Sequence, residues 1–388
     1  MKNAKKRISM AIAVLVASFA FAGCSSDGME LANAYTKSQS IYSMESKTNL
    51  SFNISATNLT DQEKQMMNTI RPFINDAKIT ADVKVMQNQD RTSSKVWEDF
   101  NAQMGQMPLN MTLWADMDLN SQMPFKEIIK MPGILNSQMP DQFKGKEYLV
   151  MSSDDMNNIQ GAPVINYKNL IAFTKNYQTN LMSLPGFGEN FNPGTTYITK
   201  VGTENKYIDN KLQQVKVYEL KLTDASLKSL MHYTLNNLAD NPDSVNFVRS
   251  YVDAVMSIYE SNPEIDAMKA EMDKAISSVP QQAAILDKSL DSIKDVKLLG
   301  DEGIVIKYYV NKDGYIVYEQ GNAQLVVDMP SINKLSQSDN SITGIYTINL
   351  NFNTEFSNIN ELTYIEFPQL NDANSYKYGD LLKSVSEK

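Results

Sequence analysis

Few residues of this 388-residue chain have the type and spacing to do chemistry, and the first is Cys24, its only cysteine. A lone thiol can form no disulfide within the chain and no thiolate zinc site. The single histidine, His232, removes every His-pair metal motif and would have to serve any Ser-His-Asp triad alone. It lies in Leu227-x-x-Leu230-Met231-His232-Tyr233, at helical spacing, and reads as a surface or packing residue. Asn311-x-Asp313-Gly314 opens like a calcium loop, but Tyr315, Val317 and Gln320 fill the later positions and no acidic closer follows. A hairpin turn explains it better. Asp154-Asp155 reads as a solvated turn. No Gly-x-Ser-x-Gly, phosphate loop or dinucleotide fingerprint occurs. The expectation is a non-enzyme, with no catalytic residue, no metal ligand and no cofactor.

The residues before Cys24 give that thiol a context. Lys2, Lys5, Lys6 and Arg7 make a basic start, Ile8 to Ala20 is an apolar run, and Phe21-Ala22-Gly23 puts small residues ahead of Cys24. This is the layout of a secretory signal, and it closes with what resembles a bacterial lipobox. The resemblance implies acylation of Cys24, and the alternatives are an ordinary signal peptide with an incidental cysteine or a short membrane anchor. The apolar run is shorter than the ~20 residues of a spanning helix. Residues 1–23 are expected to be a leader cut after Gly23, with Cys24 the lipid-bearing N-terminus of an extracytoplasmic protein anchored to the cell membrane. Residues 24–29 are expected to be its tether.

Composition narrows the partners. The formal net charge is −9, and loss of four basic residues with the leader leaves −13. An acidic surface argues against nucleic acid and against electrostatic docking on anionic lipid, so attachment falls to acyl chains at ~0.8 kcal/mol per buried methylene. Methionine is the compositional oddity: 20 of the 22 follow Cys24, and 12 of those fall from Met66 to Met156. Methionine fills irregular gaps and suits surfaces that accept varied apolar partners. An adaptable hydrophobic cavity and a methionine-filled core are both consistent with it.

Periodicity supplies the elements that position these residues. Leu31, Ala34, Tyr35, Ser38, Ile41 and Tyr42 predict a helix over 30–44. Leu50, Phe52, Ile54 and Ala56 alternate as a strand. Thr60-Asp61-Gln62-Glu63 is a capping box for a helix ending or kinking near Pro72. Strands follow near 79–85, 91–100, 109–117, 126–131 and 147–151, too closely spaced for helices between them, so they predict an antiparallel meander. A helix over 168–181 and a loop rich in Pro and Gly precede further strands at 197–201, 206–208 and 215–222. A helical block spans 223–293, broken at Pro242, Pro263 and Pro280. Strands resume at 304–310, 315–319, 322–329, 345–352 and 362–367, and residues 369–388 are expected to be a loosely held polar tail. The late strands are expected to join the early ones in a single domain over 30–368.

The order helix, meander, central helices, closing meander resembles the LolA/LppX-like bacterial lipoprotein superfamily, and more narrowly secreted lipoproteins of Firmicutes with a LolA-like module of unassigned function. The resemblance rests on the helix running into Leu50-Ser51-Phe52-Asn53-Ile54, on Leu113-Trp114-Ala115-Asp116-Met117-Asp118, on Phe125 to Pro132, on Val217-Tyr218-Glu219-Leu220-Lys221-Leu222-Thr223, and on Asn360 to Pro368. It covers most of residues 30–368. It implies an α+β fold: a curved antiparallel sheet, the LolA-like half-barrel, packed over helices, with an apolar hollow that takes a lipid in some members. No functional residue carries over position by position.

Two functions are expected to compete. In one, the protein binds or carries an apolar ligand, a lipid or hydrophobic envelope precursor. Leu109, Met111, Leu113 and Met117 of the meander would then line the hollow, with Leu227, Leu230 and Met231 forming the facing wall. In the other, it is an adaptor or structural lipoprotein docked on another envelope protein, with no ligand.

Overall fold

The computed structural model describes residues 25–75, 77–105, 107–121, 123–136, 139–157, 164–166, 168–170, 172–173, 195–240, 242–336, 342–362 and 364–386. The leader, Cys24 and the Pro-Gly-rich stretch lie outside them, as do much of the helix expected over 168–181 and Thr363 of the strand expected over 362–367.

The fold is α+β, built on an open, curved sheet of twelve strands, antiparallel except at one edge. Helix α1 (Ser26–Ser38) leads into β1 (Ser43–Thr57), and α2 (Asp61–Ile74) into β2 (Lys78–Gln87), β3 (Ser93–Met104), β4 (Met107–Asp118), β5 (Phe125–Lys130) and β6 (Tyr148–Ser152). Between β5 and β6 lies the short α3 (Gly133–Asn136), and after β6 comes α4 (Ser153–Asn157). Next are β7 (Ile198–Ile208) and β8 (Lys211–Leu222), then the block α5 (Asp224–Asp240), α6 (Pro242–Ser257), α7 (Pro263–Ser277) and α8 (Val279–Ser292). The chain closes with β9 (Leu299–Val310), β10 (Ile316–Asp328), α9 (Met329–Ser336), β11 (Ile345–Ser357), β12 (Ser375–Lys377) and α10 (Tyr378–Ser386). Across the sheet the order is β12-β6-β5-β4-β3-β2-β1-β11-β10-β9-β8-β7. The late meander thus meets the early one where β11 pairs with β1, from Glu45↔Ser357 to Thr57↔Ile345.

Several boundaries differ from expectation. The helix expected over 30–44 starts and stops earlier, because Ser25 caps it and Ser43 already pairs with Met86. Residues 25–29 are no free tether: the Ser25 hydroxyl accepts from Gly28 N at 3.0 Å and donates to the Ile198 carbonyl at 3.4 Å, and Gly28 is buried. The capping box forms as expected, and α2 runs on through Pro72 to Ile74. The two strands expected near 197–208 are one, with an irregularity between Lys200 and Gly202, and those at 315–329 are likewise one. The strand expected over 362–367 is absent at its described residues, where the chain instead crosses β4: the Trp114 indole donates to the Glu366 carbonyl at 2.8 Å. Nor is the C-terminal stretch loose. Tyr376 is buried in β12, and Tyr378 and Leu381 of α10 pack with it, Phe143 and Leu149 over the last strands of the sheet.

Directly paired residues share a sheet face, so the register divides the sheet in two. One face carries Lys47, Asp82, Lys84, Glu45, Lys95 and Asp116, with Lys47–Asp82 at 4.0 Å, Lys84–Glu45 at 3.0 Å and Lys95–Asp116 at 3.9 Å. The other carries Leu50, Phe52, Ile54, Ile79, Val83, Val96, Phe100, Leu109, Met111, Leu113, Leu350 and Phe352. Helices lie on this apolar face. Leu31 and Ala34 of α1 and Leu227 and Leu230 of α5 close a core over β8 and β9 with Tyr197, Tyr218, Leu220, Leu222 and Leu299. Leu235 of α5 then meets Ala283 and Leu290 of α8. Gly303, at φ 65, lets β9 pass the Leu222 carbonyl so closely that an added Cβ would sit 2.1 Å from that oxygen.

Candidate functional site

Among the described residues, His232, Asn311, Asp155 and Glu63 are taken up in contacts that join elements of the fold. His232 Nδ1 lies 2.7 Å from Asp287 Oδ1 and joins α5 to α8. Asn311 Oδ1 accepts from the amides of Asp313 and Tyr315, each at 3.0 Å, and Gly314 sits at φ 85, which makes 311–314 the expected hairpin turn. Asp155 is in the first turn of α4, its carboxylate accepting from the Ser152 hydroxyl at 2.7 Å. Glu63, buried, accepts from Thr60 N at 2.7 Å, Thr343 N at 2.9 Å, Gly344 N at 3.0 Å and the Tyr346 hydroxyl at 3.0 Å. Those donors, the Thr60 amide foremost, hold its carboxyl well below the usual range. A buried charge so fully hydrogen-bonded locks α2 to β11 and is not poised to react.

What remains is a surface rather than a constellation. On β11, β1, β2, β3 and β4 the apolar face alternates as regularly as on β8 and β9. There is one difference. Over β8 it is dry, with Tyr218 at 1% exposure, Leu220 at 3% and Leu222 at 0%. Over β1 to β4, Leu50, Phe52, Ile79, Val83, Val96, Phe100, Met111 and Leu113 are all only half-buried. Of the described residues on this part of the face, Ala102 is the one that is fully buried. No closed core of described residues covers it: the four that exist lie over β7 to β10, against β5 and β6, and between α5 and α8. Phe352 packs close over Gly321, where an added Cβ would come within 2.6 Å of the ring, so its place on this face depends on a glycine.

The seven residues expected to line a hollow fall into two groups. Leu109, Met111, Leu113 and Met117 stand together on the apolar face of β4, half-buried. Leu227 and Leu230 are 5% and 1% exposed within the closed core, and Met231 packs between that core and α8. The sheet order places β3, β2, β1, β11, β10 and β9 between β4 and β8. Leu227 and Leu230 therefore do not face the β4 group as an open wall, because the stripe of α5 is used up in packing on β8 and β9.

Two features of the face escape sequence reading. Glu319, on β10, sits on the apolar side: it is paired with Tyr308 and Thr354 and lies near Tyr35, whose ring meets that of Tyr308 edge-on at 6.5 Å. Burial pushes its carboxyl up to about 7. Beside it Thr354 and Thr48 hydrogen-bond across the ladder at 3.0 Å. The helical row α2 borders the sheet end and exposes Met66, Ile70 and Phe73 on one stripe.

Grooves occur elsewhere. One of about 560 Å³ lies between α1 and the β9–β10 hairpin, lined by Glu30, Lys37, Lys216, Tyr218 and Asp313 among others. Glu30 there is held down to about 2, first by the Tyr218 hydroxyl and then by Lys200. Another of about 330 Å³ is formed by Met86, Lys95, Tyr364 and Ile365. Neither is lined by any of the seven residues above. No described helix is long and apolar enough to cross a membrane. Comparison with protein-family models, curated proteins and solved structures gives no match.

Proposed function

We propose that this chain is a membrane-anchored extracytoplasmic lipoprotein that holds an apolar ligand, a lipid or hydrophobic envelope precursor, against the apolar face of β11, β1, β2, β3 and β4. One observation carries the reading: a continuous apolar face, five strands wide, whose side chains stay only half-buried while the same face is sealed over β8. Leaving that much apolar surface in water forgoes about 25 cal/mol per Å², and surfaces of this kind mark binding sites. Methionines at 111 and 117 give it compliance. The LolA-like half-barrel is the arrangement this reading favours, supported by helices lying on the apolar side of a curved sheet. Leu109, Met111, Leu113 and Met117 are its contact residues, without the facing wall of Leu227, Leu230 and Met231.

Native mass spectrometry of protein extracted in a detergent-free polymer tests this. A carrier brings bound lipid beyond its own anchor, and a body that is always lipid-free contradicts the reading. Anchoring is tested separately: Cys24→Ala should move the protein from the membrane fraction to the medium or leave an uncut precursor, and unchanged retention would refute the lipoprotein reading. The stripe Met66, Ile70 and Phe73 favours a second reading, an adaptor that docks another envelope protein through α2. Substituting all three with serine would then abolish capture of that protein and leave lipid content unchanged.

A further inference from the structure

The two faces of the sheet differ in where their cations lie as well as in polarity. From β6 through β5, β4, β3, β2, β1 and β11 to β10, every lysine on a strand (Lys47, Lys78, Lys84, Lys95, Lys126 and Lys130) falls on the charged face by register, and these strands hold no arginine. There Lys47, Lys84, Lys95 and Lys130 have acidic partners, Lys130–Glu147 at 3.3 Å among them. The apolar face of the same strands carries no cation and three glutamates: Glu98 opposite Val83 and Leu113, Glu127 opposite Ala115 and Met151, and Glu319 opposite Tyr308 and Thr354. All three are half-buried. Among the described residues none of the three has an ion-pair or hydrogen-bond partner.

Unpaired carboxylates on an apolar surface are costly unless something supplies the missing charge. Glu98 and Glu127 flank β4. Glu98 pairs across to Leu113 and Glu127 to Ala115, two residues further along the same face. At strand spacings of about 4.8 Å and a rise of about 3.4 Å per residue, the two carboxylates lie on the order of 12 Å apart, with Leu113 and Ala115 between them. A positive group resting on that stretch of β4 would be about 6 Å from each. Leu109, Met111, Phe100, Ile79 and Leu50 then continue the apolar surface away from it.

We infer that the open apolar face selects amphiphiles with a protonated amine head group, the head lying over Leu113 and Ala115 between Glu98 and Glu127 and the chain running toward Leu109 and Leu50. The inference rests on the apolar-ligand reading above and adds the charge of the ligand to it. An apolar chain alone would bind any amphiphile of that length. The carboxylates discriminate, because opposite charges attract in a poorly solvated site and like charges repel.

Calorimetric titration of the full chain with dodecylammonium and with dodecanoate, both below micelle formation, tests it. Dodecylammonium should bind about tenfold or more tightly than dodecanoate. Glu98→Gln with Glu127→Gln should remove most of that preference. Glu271→Gln with Glu361→Gln, the same change of charge at two exposed positions, should keep it, which separates the site from general attraction to an acidic protein. Circular dichroism confirms that each pair folds. Equal or stronger binding of dodecanoate by the unaltered chain overturns the inference while leaving an apolar site standing. A preference lost equally in both double variants also overturns it. Binding of neither probe rejects the apolar-ligand reading itself.

Discussion

The apolar face over β8 and the apolar face over β1 to β4 obey the same period-two alternation, yet the first is sealed and the second only half-buried. Over β8 the side chains meet a second layer, α1 and α5, whose own stripes they match: Leu31 and Ala34, Leu227 and Leu230. Over β1 to β4 no core of described residues closes on them. The sheet thus has a part that carries stability and a part that keeps apolar surface available, and the difference lies in the covering layer rather than in the strands.

Inserting a charge should separate the two regions most sharply. Leu230→Glu would put an unpaired carboxylate into the dry core, at a cost of several kcal/mol, and the chain should not fold. Leu113→Glu places the same group where water reaches it. The protein should fold, by circular dichroism and a cooperative urea transition, and should lose apolar ligand. Two equally unfolded variants would erase the distinction.

Truncation should give a smaller contrast. Leu222→Ala, at 0% exposure, should cost about 2–5 kcal/mol, the range for large-to-small changes in a packed core. Met111→Ala, half-buried, should cost about 1 kcal/mol, since only part of its surface is removed from water on folding. Urea midpoints of the two variants check this.

Glu319 sits at the boundary between the regions, and pH probes it. Its folded carboxyl is raised from 4.5 to about 7 by burial, so the native state binds more protons than the unfolded state between those values. Stability should therefore fall as pH rises through that window, by at most about 3 kcal/mol. Glu319→Gln should flatten the fall, leaving urea midpoints little changed near pH 5 and raised near pH 8. An unaltered slope would show that water reaches the carboxylate freely.

The smallest effect should come from the rim. Thr60→Ala removes the hydroxyl that accepts from Glu63 N at 3.2 Å and should cost about 1 kcal/mol. Hydrogen exchange should quicken in α2 and around Thr343 to Tyr346 and stay slow in β8 and β9. Uniform acceleration would mean that the regions open together.

These contrasts also mark what the sequence could reveal. The strands, the capping box at Thr60, the turn at Asn311 and the proline-marked helix boundaries were legible because each is a local pattern with a local cause. The sheet order was legible only in part: antiparallel meanders follow from short connections, but the pairing of β11 with β1 spans nearly the whole chain. The two groups of expected lining residues looked alike for the same reason. Leu113 and Leu230 both lie on regular apolar stripes, and only the tertiary packing shows that α5 spends its stripe on β8 and β9. The C-terminal stretch misled because its polar composition hides Tyr376, whose burial depends on the parallel pairing of Ser375–Lys377 with Tyr148–Val150. Glu98, Glu127 and Glu319 became visible as one set only when register placed them on one face.

The distinction between a sealed and an open apolar face can be measured with thiols, because Cys24→Ser leaves the chain without a cysteine. In that background, Met111→Cys and Leu350→Cys on the half-buried part should react with a maleimide under native conditions, more slowly than in the unfolded chain but measurably. Leu222→Cys and Leu230→Cys should react only on unfolding. Adding dodecylammonium should slow the first pair and leave the second unchanged. If Met111→Cys is protected as fully as Leu230→Cys before any ligand is added, the apolar face is closed and the proposed binding surface does not exist.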